Sequence, residues 1–444
     1  MSSLSVREIC GKNGLPVNFP NGVTVGSGSK FGNINYIGLP GQQGFGVGIC
    51  PNIPTGFSKL PGTDDIASDN YGNYQYSDGS VMCWIPAFYY KIGTGSNGLA
   101  INVVDVKGIN DYANESTAIA AGYALHRAFY NAGMIVPGVF VDKYQCSNSN
   151  NIASSIKNGN PLSSAAAHNP FAGLTGAPSN AYHGAIVAAK TRGANFFCNT
   201  VFIFKALALL SLAHGQAAAS ATSCAWYDAA GIIKYPKGNN NNALKDSNDT
   251  AVTYISDGYS NCGKTGSANF FSKTTHNGQN SGVCDLNGNM WEIGLGLTSD
   301  GSNFYILKTS VDAKTITSGT TLATDAWGAT GIAAMYDNLG ATYESLAGSS
   351  SVKTMGAAAA QVFSGATSGN AWNATGAGIP LTTGVVGTNM FGNDGLWDYR
   401  LDTMCPLLDG NWANGASAGV WTLYLYAVRT SSTDYVGFRS ALYL

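Results

Sequence analysis

Charge is scarce in this chain: Asp, Glu, Lys and Arg make up 11% of its 444 residues, against about 25% in an ordinary soluble domain. The formal net charge of −2 leaves no basic footprint for nucleic acid or an anionic lipid surface, so neither nucleic-acid binding nor membrane insertion is expected. No apolar run approaches the roughly 20 residues of a membrane span. The best, Val201 to Ala213, is interrupted by Lys205. The opening MSSLSVREICGKNG has no basic start followed by an apolar stretch, so no secretory signal peptide is expected. Nine cysteines (10, 50, 83, 146, 198, 224, 262, 284 and 405) never form a CxxC pair. That spacing predicts buried free thiols rather than a disulfide framework or a zinc site. The five histidines (126, 168, 183, 214 and 276) show no HxH or HExxH pair, and each reads as structural or surface. A GxSxG elbow is also absent, and nothing assembles a nucleophile, a base and an orienting group. The expectation is a protein that is not an enzyme, with no cofactor and no metal; loop oxygens leave room only for a structural calcium ion.

Glycine is abundant, at 57 residues, roughly twice its usual share. A hydrophobic fraction of 45% is enough for a core, so the polar surface must be built from Asn, Ser, Thr, Gly and Tyr. Such a surface suits a loop-rich protein at the cell exterior or on a virion. Paired with the missing signal, it fits a phage particle assembled in the cytoplasm.

The length predicts more than one domain. Residues 1–79 carry short strand-like pieces (Val23–Val25, Ile34–Ile37, Phe45–Ile49) and no helical period, which predicts a small β-rich N-terminal or attachment domain. Residues 80–444 would form the second domain. In it SVMCWIPAFYYKI from Ser80 and GVFVDKY from Gly138 read as strands. Helices are expected at Ser116–Phe129 and Asn199–His214, and the asparagine-rich Gly238 to Asp249 is a turn or loop. Residues from about 298 to 380, rich in Gly, Ala, Ser and Thr, read as a loop-bearing insertion.

Two local motifs look like chemistry. Gly258-Tyr-Ser-Asn-Cys-Gly263-Lys264-Thr265 matches a phosphate-binding loop. That chemistry needs a helix immediately afterwards, and GSANFFSKTTHNG shows no helical stripe, so a surface turn is expected. Asp285, Asn287 and Asn289 alternate as in a calcium loop. The glycine falls at the fourth place and Gly296 stands at the twelfth, which excludes an EF-hand.

Four segments occur in order: Phe140-Val-Asp-Lys-Tyr144, Cys284-Asp-Leu-Asn-Gly-Asn-Met-Trp-Glu292, Gly410-Asn-Trp412 and Gly437-Phe-Arg439. Together they resemble the formylglycine-generating-enzyme branch of the C-type lectin fold, over roughly residues 80–444. The resemblance implies an α+β C-type-lectin-type domain. Gly288 fits a tight turn, Asn289 can satisfy nearby backbone, Trp291 is a buried anchor and Glu292 a partner for a buried donor. Those enzymes place a redox-active cysteine pair between the last two motifs. This chain has no cysteine from Asn411 to Leu444, and Cys405 lies outside the interval, so that activity is not expected. The histidine cluster of the related iron-dependent oxidases is missing too.

The tail GNWANGASAGVWTLYLYAVRTSSTDYVGFRSALYL also resembles the variable region of diversity-generating retroelement proteins, whose template is rich in asparagine codons mutated at adenines. Departures from the asparagine template fall at Ala413, Ser417, Tyr424, Tyr426, Ala427, Ser431, Thr433, Asp434 and Tyr435. Asn414 reads as an unchanged template asparagine, and Val428 is a departure without an assignment. Tyr399, Leu401 and Asp402 are weaker candidates within a variable region at about 396–444. The segment Asn199–Gln216, ending LAHGQ, resembles the phage-borne members. Alternation points the same way: Leu423, Leu425 and Val436 face a core while Tyr424 and Tyr426 point outward. Trp412, Gly437, Phe438 and Arg439, with Trp291 and Glu292, form the scaffold.

The resemblance implies a receptor-binding protein, at a phage tail tip or the cell exterior, that sets host range by binding a cell-surface protein or glycan. It implies a homo-oligomer, a trimer by analogy, with the N-terminal region contacting other tail proteins. The alternatives are a bacterial surface-displayed variable adhesin and an oxidase of the formylglycine-generating type.

Overall fold

The computed structural model describes residues 34–176, 180–227, 237–316, 332–340, 352–384 and 391–444, together with a strand pair at Val23–Val25 and Ser29–Phe31. The architecture is mixed, with many short strands and few helices. Two sheets dominate. The first is antiparallel and six-stranded, in the spatial order Phe197–Cys198, Ser440–Tyr443, Gly138–Asp142, Val81–Pro86, Asn73–Tyr76 and Phe57–Lys59. The second has seven short strands, ordered Thr383–Gly384, Lys353–Met355, Gly395–Trp397, Leu423–Tyr424, Leu407–Leu408, Trp291–Ile293 and Val436–Gly437. Two of its pairings are parallel, Gly395–Trp397 with Leu423–Tyr424 and Trp291–Ile293 with Val436–Gly437.

The long apolar run forms the helix Val201–Ala217 (α1), capped by the Thr200 side chain, which accepts from the Ile203 amide. It is buried along nearly its whole length, and among the described residues no helix is long and apolar enough to cross a membrane. Lys205 is tolerated because its ammonium donates to the carbonyls of Trp421 and Thr422, both at 3.1 Å. Burial nevertheless pushes its pKa down to about 8. The core helix thus clamps the turn that opens the tail.

Two sequence readings are corrected. The helix expected over residues 116–129 stops at Ala120, because Gly122 takes a φ of +83°. Residues 124–129 continue as a two-residue strand and a 3-10 turn. Ile34–Ile37 and Phe45–Ile49 are irregular, joined by a single bridge between Ile34 and Ile49. Within 298–380, Phe304–Leu307 and Tyr336–Asn338 pair with Leu297–Ser299 in a separate three-stranded sheet, and Lys353–Met355 joins the seven-stranded one. A helix at Gly369–Gly376 (α2) buries Trp372, whose indole donates to the Leu125 carbonyl at 2.9 Å. Residues 317–331 and 341–351 lie outside the described residues.

Residues 34–79 pack as one body with the chain beyond Ser80. Their two strands extend the six-stranded sheet, and Ile37, Phe45, Val47 and Tyr71 join the main core. Two buried histidines fasten this segment. His214 accepts from the Gly41 amide at 3.0 Å, and His276 Nε2 donates to the Gly46 carbonyl at 3.0 Å while Nδ1 accepts from Val283.

Each histidine works only while neutral, and burial holds both down to about 4. In the unfolded chain they protonate near 6.5. The unfolded state therefore binds protons first, and the stabilisation present above 6.5 is lost as pH falls toward 4. That amounts to on the order of 3 kcal/mol per histidine. Asp285 acts oppositely: burial raises it to about 6, so its protonated form favours the folded state as pH falls. The difference between variants isolates one group. His276→Gln should reduce the proton uptake on unfolding between pH 6.5 and 4 by about one, measured by urea titrations at several pH values. An unchanged slope would show that His276 does not titrate between the two states.

Candidate ligand-binding site

The four motif segments meet in space. Arg439 Nε donates to Glu292 Oε2 at 2.8 Å, a second guanidinium nitrogen donates to Oε1, and both side chains are fully buried. Gln145 Nε2 donates to the same Glu292 oxygen, Oε1, at 3.1 Å. Arg439 also donates to the backbone carbonyls of Asp142 and Cys284. Asn289, at a φ of +72°, accepts from the Gly263 amide and donates to the Gly263 carbonyl and Gln145. Gly288 is required beside it, since a Cβ there would lie 2.7 Å from the carbonyl oxygens of Lys237 and Asn239. The Trp412 amide in turn donates to the Asn289 carbonyl at 3.0 Å. This knot holds Trp291–Ile293 and Val436–Gly437 parallel at one edge of the second sheet. It sets the frame on which the tail turns back and forth.

Along the tail the alternation holds. Leu423, Leu425 and Val436 are buried, Tyr424 is half-buried and Tyr426 is 42% exposed. Tyr424, Tyr426 and Tyr435 open onto a cavity of about 430 Å³, a size suited to a small ligand or one projecting group of a larger one. Trp291 and Trp397 line it from the sheet. Their rings pack with Tyr424 at centroid distances of 5.3 and 5.2 Å and with each other at 5.8 Å. Asn411, Asn414, Ser431 and Thr433 supply polar groups, and among the described residues no Asp, Glu, Lys, Arg or His lines the cavity. Burial and the neighbouring phenols raise the Tyr424 pKa, so it stays an uncharged donor and acceptor.

Most of the tail positions singled out in the sequence converge on this cavity. Ala413, Asn414, Tyr424, Tyr426, Ala427, Ser431, Thr433 and Tyr435 all line it, and so does Val428. Ala427 is buried at 7% and gives clearance rather than contact. Ser417 lies apart from the cavity lining, in a 3-10 turn whose carbonyl accepts from Thr422. Asp434 takes the Tyr259 hydroxyl at 2.7 Å. Of the weaker candidates, Tyr399 packs edge-on to Tyr426 at 5.1 Å. Leu401 packs against the core, and Asp402 is exposed and bridged to Asp300. Phe438 and Gly437 are buried in the frame.

Sequence reasoning missed Trp397, Cys405, Leu407 and Ala181 as lining residues. Trp397 was within reach, at the end of the strand Gly395–Trp397 and two positions before Tyr399. Ala181 starts the helix Ala181–Lys190, more than two hundred residues before the tail, and no local pattern connects the two. The described cysteines are all buried and free, and burial raises the thiol of Cys405 to about 12.

An uncharged, aromatic-walled concavity on a strand-rich frame is the geometry of a binding site. No protein-family profile matches the chain, and no curated protein matches it in sequence. Among solved structures the chain is similar to the Major Tropism Determinant P3c variant, with a TM-score of 0.29 and 12% identity over 83% of this chain and 65% of that one. It is also similar to the Major Tropism Determinant M1 variant, with a TM-score of 0.30 and 13% identity over 82% and 63%. The chain thus spans 65% of the P3c variant and 63% of the M1 variant.

Proposed function

We propose that this protein is a non-catalytic receptor-binding protein of a phage tail tip, which sets host range through a tail diversified by a retroelement. One observation carries the reading. Eight positions where the tail departs from or retains the asparagine template line a single cavity, although they spread over residues 413–435. Independent surface drift has no reason to converge on one concavity. The framing residues among and just after them (Trp421, Leu423, Leu425 and Phe438) are buried in the core. Diversity at the lining positions would therefore alter recognition while leaving the frame intact. Tyrosine suits this use, because it offers wide contact area with few rotamers to freeze, and Ser, Thr and Asn supply adaptable hydrogen bonds.

The partner is a cell-surface protein or glycan. A symmetric homo-oligomer, a trimer by analogy, would add avidity to modest single-site affinity. The absence of chemistry rests on the missing cysteine pair between Asn411 and Leu444 and on the burial that raises the described thiols above their ordinary range.

Population sequencing of the DNA encoding residues 396–444, with its flanking genes, tests the reading. The expected result is variation confined to the named codons beside a reverse transcriptase and a near-copy repeat. An invariant tail with no such neighbour would leave a fixed adhesin and reject diversification.

A further inference from the structure

The loop that mimics a phosphate-binding motif has a different use of its glycines and its cysteine. Ser256 and Gly263 bridge, the Asp257 amide donates to the Cys262 carbonyl at 3.0 Å, and the Cys262 amide donates to the Tyr259 carbonyl at 3.0 Å. This tight turn brings the donor atoms of Asp257 and Cys262 within 4.8 Å of each other, and the Cys262 thiol also lies 3.6 Å from the Gly263 carbonyl and 3.8 Å from Asn289 Oδ1. His168 arrives from a segment almost ninety residues earlier, stacked on the Tyr259 ring at 4.3 Å. One donor atom from each of His168, Asp257 and Cys262 lies within 4.8 Å of the others. The His168 and Asp257 side chains are 4% and 1% exposed, and Cys262 is fully buried.

The hydrogen bonding of His168 does not close for a neutral ring. Nδ1 lies 2.9 Å from the carbonyl oxygen of Asp434, an atom that only accepts, so Nδ1 carries the proton. Nε2 then presents a lone pair 2.6 Å from the Asp257 carboxylate, which also only accepts. Something positive belongs at Nε2. A second ring proton or a bound cation would serve, and the Cys262 sulfur, within 4.8 Å of both other donor atoms, points to the cation.

We propose that His168, Asp257 and Cys262 hold a divalent transition-metal ion of the zinc type beneath the ligand-binding face. Imidazole nitrogen, carboxylate oxygen and thiolate sulfur form a borderline donor set that suits Zn²⁺ and not Ca²⁺ or Mg²⁺. A neutral His168, an Asp257 carboxylate and a Cys262 thiolate carry two negative charges, which the ion cancels in a buried site. Binding releases the Cys262 proton, and any second proton on His168, to solvent. The Asp434 carbonyl fixes the ring tautomer, as an outer partner does for a ligating histidine. Water fills the remaining position of a tetrahedral ion. A metal here departs from the sequence expectation of none, which rested on local spacing.

The ion would brace the tail. His168 and Tyr259 both bind Asp434, and the Ser164 hydroxyl accepts from the Thr433 amide and donates to its carbonyl.

Cobalt(II) titration of the purified full chain tests the proposal. One equivalent should produce a thiolate-to-cobalt band in the near ultraviolet and tetrahedral bands in the visible, both displaced by Zn²⁺. Cys262→Ser should lose the near-ultraviolet band, and Asp257→Asn should weaken cobalt binding by at least tenfold. Should either variant misfold, wild-type protein with Zn²⁺ at about 100-fold excess over its Kd should gain several degrees in Tm, reversed by chelator. A folded wild-type chain that gives no cobalt bands and no zinc-dependent Tm shift overturns the site in favour of a His168–Asp257 ion pair. Cobalt binding with the near-ultraviolet band unchanged in folded Cys262→Ser would overturn it as well.

Discussion

Arg439→Met should destabilise the fold by about 3–5 kcal/mol, the typical cost of stranding one partner of a buried ion pair. The guanidinium is fully buried and is the cation bonded to both Glu292 carboxylate oxygens. Removing it leaves a carboxylate that must either stay charged in a low-dielectric site or take up a proton. It also frees the Asp142 and Cys284 carbonyls. The loss is a large part of the roughly 5–15 kcal/mol that holds a typical domain together. Replacing Glu292 with Met as well should recover part of it, because no charge is then stranded, though the two carbonyls stay unpaired. Urea unfolding followed by far-ultraviolet circular dichroism distinguishes these cases. A single variant within about 1 kcal/mol of wild type would mean that the pair is not the keystone of the frame.

The second large effect is on recognition and not on folding. Tyr424→Ala with Tyr426→Ala should weaken adsorption to susceptible cells by roughly 30-fold or more, about 2 kcal/mol of binding. The reason is one of position. Tyr426 is 42% exposed and Tyr424 half-buried, while the alternate residues Leu423 and Leu425 carry the packing against the core. Because the rings form the outer wall of the cavity and not its frame, Tm should fall by only a few degrees. The comparison variant is Ser417→Ala, which lies off the cavity and should adsorb as wild type does. Equal adsorption by the double variant and wild type would separate this cavity from receptor binding. A loss shared equally by Ser417→Ala would point to a general effect on the tail.

Much of this was readable from local sequence. The alternation of Leu423, Tyr424, Leu425 and Tyr426 determines which side chains face the core, because a strand has a period of two. The apolar run after Thr200 determines a buried helix, and the cap marks its start. The interval between Asn411 and Leu444 carries no cysteine whatever the chain folds into. These properties depend on neighbours within a few residues, so the sequence alone determines them.

Tertiary structure decided the rest. Glu292 could be read as awaiting a buried donor, and only the fold joins it to Arg439, almost 150 residues away. Ser116–Phe129 has the composition of a helix, yet Gly122 and the packing around the buried Trp372 break it after one and a half turns. Phe45 carries no sign that it belongs to the main core, because the ring it stacks on, His214 of α1, lies almost 170 residues away. The histidines looked isolated for the same reason. His168 stands almost ninety residues from Asp257, and spacing rules see only ligands that share a turn or a helix face. Side chains distant in sequence meet because burying apolar surface closes the chain on itself, and that closure brings together the walls of the cavity and the His168, Asp257 and Cys262 cluster.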